Sequence, residues 1–230
     1  MKKGYSLPID EVGNLWESLT QEERIYLREN TELVTYKKNQ KLYIEGEKPT
    51  HLFTLLEGKI KIFRDGVGGR QQIIRLANIN QPLGHVSYFA QAMHQTSASA
   101  LEPSKCYITP IHVIQQIIES NNGLAMRFIH LIAKNLANAD KRILTLTQKH
   151  IRGRLADSIL LLGKAYGYES DQKTLMCQLS REDLACLSNM TTSNAIRTLS
   201  NFISEGILQV DGRVITILDQ DTLLKINRLG

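Results

Sequence analysis

The residues best suited to chemistry lie between Leu179 and Leu199, in the run L-S-R-E-D-L-A-C-L-S-N-M-T-T-S-N-A-I-R-T-L. Ser180 precedes Arg-Glu-Asp-Leu, a helix N-cap with a carboxylate at the third helical position, as in a capping box. The helix starting at Arg181 should stop near Ser188-Asn189, because asparagine tolerates the left-handed backbone of a sharp turn. Thr191 caps a second helix. Its Ala195, Leu199 and Phe202 share one face, while Thr192, Ser193, Asn194, Arg197 and Asn201 are polar. Short hydrogen-bonding side chains let a backbone approach the major groove of a duplex, and an arginine can bond guanine through both arms of its fork. Glu205-Gly206 then ends the helix, and Ile207–Val210, Asp211-Gly212 and Arg213–Ile217 read as a hairpin. Two helices alone could be an ordinary helical hairpin. The β-hairpin after them points to a winged helix-turn-helix.

Other chemistry finds little support. The chain has no phosphate-binding glycine loop, no His/Cys cluster at metal spacing, no G-x-S-x-G and no Cys-His pair with an orienting partner. Glu45, Glu47 and Glu57 sit in turn contexts and read as solvated, so an enzyme is not expected. Cys106, Cys177 and Cys186 form neither C-x-x-C nor an even framework and read as buried reduced thiols. The net charge is +5 with pI near 9.1. Yet residues 150–230 hold nine Lys or Arg against nine Asp or Glu, so local placement must carry any case for an anionic partner.

These residues need a scaffold, and 230 residues allow two modest cores. A helical opening, roughly Asp10–Glu29, is anchored by Trp16, Leu19, Ile25 and Leu27. From Thr31 to Thr109 the period becomes two. Leu52–Leu56 and Lys59–Phe63 read as strands joined by a tight turn at Glu57-Gly58, and Gly66, Gly68 and Gly69 precede Gln72–Leu76. An α+β chain with an N-terminal antiparallel β-roll or jelly-roll barrel is expected. Helices follow over Ile111–Glu119 and from about residue 121 to 149. In the second, Ile129, Ile132, Leu136, Ala139, Ile143, Leu146 and His150 recur at the 3,4 spacing of a coiled-coil seam, flanked by polar Lys134, Asn135, Asn138, Lys141 and Arg142. A helix packed on its own barrel would show a broader stripe, so the seam favours a homodimer interface. Gly153 marks a break before a further helix ending near Gly163–Gly167. The expected division is 1–149 and 150–230. No apolar signal core or membrane-length stretch is found, and a cytoplasmic protein is expected.

The chain resembles the Crp/Fnr family over nearly its whole length. The resemblance is carried by Tyr43–Glu47, Leu52–Ile62, Gly84 and its loop, Ala98–Glu102, Arg154–Ala156 and Leu179–Arg197. It implies a cyclic-nucleotide-binding-like sensor barrel, a dimerising helix and a winged helix-turn-helix that recognises a palindromic promoter site, with RNA polymerase as a further partner. By the same resemblance Thr192, Ser193 and Arg197 face base edges, Asn194 lies beside them, and Ser180, Arg181 and Thr191 lie near phosphates. Many members carry glutamate where this chain has Ser193, so the familiar half-site does not transfer. Effector-pocket candidates are Gly84, His85, Val86, Ser87, Thr96 and Ser97. Cyclic AMP is disfavoured, since His85 follows Gly84 and no arginine stands near Gln95-Thr96-Ser97 to neutralise a phosphate. A Cys-ligated iron-sulfur cluster is disfavoured because no cysteine precedes Cys106. Haem stays open, with His51, His85, His94, His112 and His130 as candidate ligands, as does an unknown small molecule. The rival to DNA binding is a regulatory module acting on a protein partner.

Overall fold

The computed structural model describes residues 15–230. A 3₁₀ turn at Leu15–Ser18 leads to helix α1, Gln21–Glu29. Thr20 and Glu23 cap it reciprocally: the Glu23 amide donates to the Thr20 hydroxyl at 3.3 Å, and the Thr20 amide to the Glu23 carboxylate at 2.8 Å. The expected opening helix is thus shorter, and its residues 10–14 lie outside those described. Trp16, Leu19 and Leu27 are buried as expected, but Ile25 is exposed. Two residues turn a helix by about 200°, so Ile25 cannot share the inward face of Leu27.

Eight strands follow: β1 Glu32–Tyr36, β2 Lys41–Tyr43, β3 His51–Glu57, β4 Ile60–Asp65, β5 Gln71–Ala77, β6 Pro82–Leu83, β7 Ser97–Ala100 and β8 Ser104–Pro110. They form two four-stranded sheets, β1-β8-β3-β6 and β2-β7-β4-β5, the jelly-roll order. β3 and β4, read as two strands about a tight turn, belong to different sheets. β3 pairs antiparallel with β8 and β6, and β4 with β7. Gly58 makes this crossing at φ +94°, where a Cβ would lie 2.3 Å from the Ser104 hydroxyl. Alternate residues from both sheets, among them Tyr43, Leu55, Ile60, Ile62, Ala98 and Cys106, meet in a buried cluster.

Helix α2, His85–Phe89, lies between β6 and β7; α3, Ile111–Ser120, follows the last strand. Asn121 accepts the Leu124 amide at 2.9 Å and starts the long α4, Asn122–Gln148. Near its start Phe128 meets Trp16 edge-on at 6.4 Å and Phe89 at 5.1 Å. The chain breaks at Lys149-His150 and resumes as α5, Ile151–Tyr166. Gly153, expected at the break, lies inside α5. It has no Cβ because the chain end at Gly230 packs against it, 2.3 Å from where a Cβ would sit. There follow α6 Arg181–Leu187, α7 Thr192–Ser204, β9 Leu208–Asp211, β10 Val214–Ile217 and α8 Gln220–Leu229. By packing, residues up to Arg64 group with Arg75–Ala137, and Asp65–Ile74 with Asn138–Gly230. No helix among the described residues is long and apolar enough to cross a membrane.

Phe128 is fully buried between Trp16, Phe89 and His85. Phe128→Ala should lower the stability of the N-terminal unit by about 3–5 kcal/mol, read from urea unfolding by the fluorescence of Trp16. A loss under 1 kcal/mol would mean that this aromatic cluster does not hold α4.

Candidate nucleic-acid interface and effector pocket

The second helix of the motif, α7, is two-faced. Ala195, Thr198, Leu199 and Phe202 are buried, and Thr192, Ser193, Arg197 and Asn201 are exposed. The Thr191 hydroxyl accepts the Asn194 amide at 3.2 Å, which caps the helix. Asn194 is half-buried, and its side-chain oxygen accepts from Arg197 at 2.8 Å, which limits where that guanidinium can swing. In the first helix, α6, the Ser180 hydroxyl accepts the Asp183 amide at 3.0 Å and donates to the Asp183 carboxylate at 2.7 Å. The return bond therefore comes from the hydroxyl of Ser180. Asn189 adopts φ +50°, the left-handed turn expected there.

The hairpin is present with its turn one residue on: Asp211 pairs with Val214, leaving Gly212 and Arg213 at the tip. Lys173–Leu175 adds a third edge that sequence reasoning missed. Leu175 donates to the Ile215 carbonyl at 2.9 Å and Ile217 to that of Lys173 at 3.0 Å. A short run of mixed polarity gives no period to detect. Arg181 donates to the Gly212 carbonyl at 2.8 Å and so ties the wing tip to α6.

A brace behind the turn was also missed. Arg142, read as a polar flank of the seam, is largely buried and pairs with Asp157 at 2.8 Å. It also donates to the Leu187 carbonyl at the end of α6, where a helix favours cations. Burial lowers the Arg142 pKa while Asp157 opposes that. Gln72 donates to the Cys186 carbonyl at 2.7 Å and Arg70 to the Asn189 side chain at 3.0 Å. On the outer side Arg152 grips Glu205 through two bonds of 2.6 Å and lies over the Phe202 ring at 4.8 Å.

Along α4 the seam is uneven. Ile129, Leu136 and Ile143 are 55%, 63% and 59% exposed, and Ala139 is exposed too, whereas Ile132 and Leu146 are half-buried. In the barrel the pocket candidates separate. Gly84 holds φ +86° under the His51 carbonyl, 2.9 Å from where a Cβ would stand. His85, Ser87 and Ser97 are buried, Thr96 is half-buried, and Val86 faces solvent. The Ser97 hydroxyl accepts the Glu45 amide at 3.0 Å. His94 stacks on Tyr43 at 4.1 Å. Glu47 and Glu57 are exposed, as expected, and Glu45 is half-buried; each also has a partner, Glu45 with Arg64 at 2.9 Å, Glu57 with Lys105 at 2.6 Å, and Glu47 with the Ile44 amide at 2.9 Å.

Residues 33–121 match the family model of the cyclic nucleotide-binding domain, and residues 153–226 that of the Crp-like helix-turn-helix domain. The chain belongs to the Crp/Fnr family of transcription regulators. It is similar to the CRP-like cAMP-activated global transcriptional regulator of Mycobacterium tuberculosis, 20% identical over 84% of this chain and 86% of that one. It is also similar to Electron transport regulator A of Shewanella oneidensis, 25% identical over 81% and 74%. The fold matches that of FixK2 from Bradyrhizobium japonicum, with TM-score 0.78, 20% identity and coverage of 86% and 97%. It also matches a CRP/FNR-family transcriptional regulator from Thermus thermophilus, with TM-score 0.70, 20% identity and coverage of 86% and 98%.

For a Crp/Fnr regulator this barrel lacks a phosphate fork in the expected place: residues 84–97 contain no arginine. A cyclic phosphate therefore finds no cation there. Of the histidines considered as haem ligands, His112 and His130 are exposed and His51 bonds its neighbour Thr50, leaving His85 and His94 in the barrel interior. Cys106, Cys177 and Cys186 are buried and in no disulfide, and burial pushes the Cys106 thiol up to about 12.

Burial, and next the charge of Arg75, pull the His85 pKa down to about 3; the Pro82 backbone, close but outside hydrogen-bonding geometry, opposes them weakly. Burial also lowers His94. Between pH 6.5 and 3 the unfolded chain holds a proton at His85 that the folded chain refuses, so stability falls as pH falls through that window. His85 alone should cost about 1.6 kcal/mol between pH 6.5 and pH 5, the slope starting at half of 1.36 kcal/mol per unit and rising to it as the unfolded imidazole fills. Urea unfolding at both pH values checks this: His85→Gln should lose that part of the slope, and an unchanged slope would refute it.

Proposed function

We propose that this regulator binds a palindromic promoter site as a homodimer, reads bases through Thr192, Ser193 and Arg197, and responds to an effector held in the N-terminal barrel. The observation that carries the reading is the split face of α7: three exposed hydrogen-bonding side chains opposite buried Ala195, Leu199 and Phe202. Arg197 supplies a fork suited to guanine O6 and N7. Ser180 and Thr191, at the starts of α6 and α7, lie where helix amides can meet phosphates. Arg181 is engaged with the wing tip and acts by placing it. The functional division is 1–149 for sensing and dimerisation and 150–230 for DNA.

The exposed stripe of Ile129, Leu136, Ala139 and Ile143 supports pairing of two copies along α4. Two-fold symmetry of the protein would then match two-fold symmetry of the operator. An effector works by binding one arrangement of the pair more tightly than the other. The protein acts in the cytoplasm, recruits or blocks RNA polymerase, and performs no catalysis.

Selection from a random duplex library with purified protein, run beside Arg197→Ala, tests the reading. Wild type should enrich a palindrome. The variant should lose preference at one position per half-site, about 1–3 kcal/mol, while keeping most of its salt dependence. No enriched palindrome, with or without cell extract as a source of effector, would favour the protein-partner reading. Leu136→Glu should convert dimer to monomer in sedimentation and weaken operator binding; a dimer that survives would place the interface elsewhere.

A further inference from the structure

One large apolar side chain stands among the polar ones that α7 turns outward. Ile196 is 47% exposed, one position before Arg197. Its outward neighbours three and four residues away are Thr192, Ser193 and Ser200, all exposed and all short. The Ser200 hydroxyl folds back to donate to the Ile196 carbonyl at 3.0 Å. Arg197, the long side chain beside it, donates to Asn194 at 2.8 Å, and Asn194 lies about 160° around the helix from Ile196. The guanidinium is thus drawn away from the isoleucine, whose methyl groups rise from a floor of short polar side chains. Packing does not account for this residue. Ala195, Thr198, Leu199 and Phe202 already form the buried underside, and at an exposed site alanine would serve the helix better than a β-branched side chain.

In the major groove a branched alkyl group has one good partner, the C5-methyl of thymine. The other base edges there are hydrogen-bond donors and acceptors, which an alkyl group can only desolvate. From this placement we infer that Ile196 reads a thymine methyl close to the guanine bonded by Arg197, and so fixes a further base of each half-site. This role rests on α7 entering the groove as proposed above, and it supplies an apolar contact that a list of hydrogen-bonding side chains passes over. Ile203 shares the flank of Ile196 and is 42% exposed, but it lies about 10 Å further along the axis, two residues before the Glu205 held by Arg152. It is the matched control.

The test uses the operator obtained by selection, with its thymines replaced one position at a time, in both half-sites, by uracil. That change removes the methyl and leaves the hydrogen-bonding edges as they were. Wild type should lose about fourfold in affinity per half-site at one thymine near the guanine whose preference Arg197→Ala removes, the worth of one buried methyl group. Ile196→Ala should bind the thymine and uracil duplexes alike at that position while keeping the guanine preference and the salt dependence of wild type. Ile203→Ala should distinguish the two bases as wild type does. Because uracil changes only the DNA, the wild-type comparison holds even where a variant folds poorly. If no uracil lowers wild-type affinity, or if Ile196→Ala still distinguishes the two bases, the thymine contact is overturned while the reading of α7 stands. If no operator is enriched at all, with or without cell extract, both fall.

Discussion

The polar face of α7 depends on one constraint: the helix must not rotate on the core beneath it. Thr192, Ser193 and Arg197 face outward only while Ala195, Leu199 and Phe202 are held inward, and a turn of one residue would swing the polar set by about 100°. The inward grip is apolar and lacks direction along the helix axis. Direction comes from polar fixings at both ends. Thr191 caps the start and Arg152 holds Glu205 just beyond the last residue. Behind the turn, the positive φ of Asn189 and the bond from Arg142 to the Leu187 carbonyl fix where α6 stops. Arg142 and Asp157 are both largely buried, and removing one partner of such a pair costs about 3–5 kcal/mol. That penalty helps keep the exposed polar face of α7 in register with its apolar underside.

The barrel uses burial differently. In the helix-turn-helix, Ser180, Thr191 and Arg142 each have a partner in the chain. In the barrel, both ring nitrogens of the fully buried His85 lack one. A fold that kept such groups only for stability would do better with apolar residues of the same volume.

How much of this could be read from the sequence depended on period and punctuation. Elements of strong period were legible: the strands around Leu55 and Ile62, the 3,4 seam of α4, and α7 with its caps at Ser180 and Thr191. Failures came where a residue's role is set by a distant partner. Gly153 looked like a helix break because glycine usually is one, yet its bare Cα serves the chain end, 77 positions away in sequence. Arg142 looked like a solvated flank because its partners, Asp157 and Leu187, are remote in sequence. The Glu57-Gly58 turn was visible, but nothing local says that it joins strands of two sheets. Among the pocket candidates, His85 and Val86 are neighbours with opposite fates, since one residue of helix turns the side chain from core to solvent.

The seam of α4 bears on both halves of the molecule. Its first exposed residues, Ile129 and Leu136, belong to the unit that carries the barrel, and Ala139 and Ile143 to the unit that carries α7. Each turn of the helix is locked to the next by backbone bonds. An apolar stripe this exposed is unfavourable in water and becomes favourable only against another surface. If two copies meet along it, any change in packing at its barrel end must be accommodated along the same contact that ends beside Arg142. The stripe therefore needs no separate signalling element. If such a pairing forms, a ligand can shift it only as far as its affinity differs between two packings of the stripe.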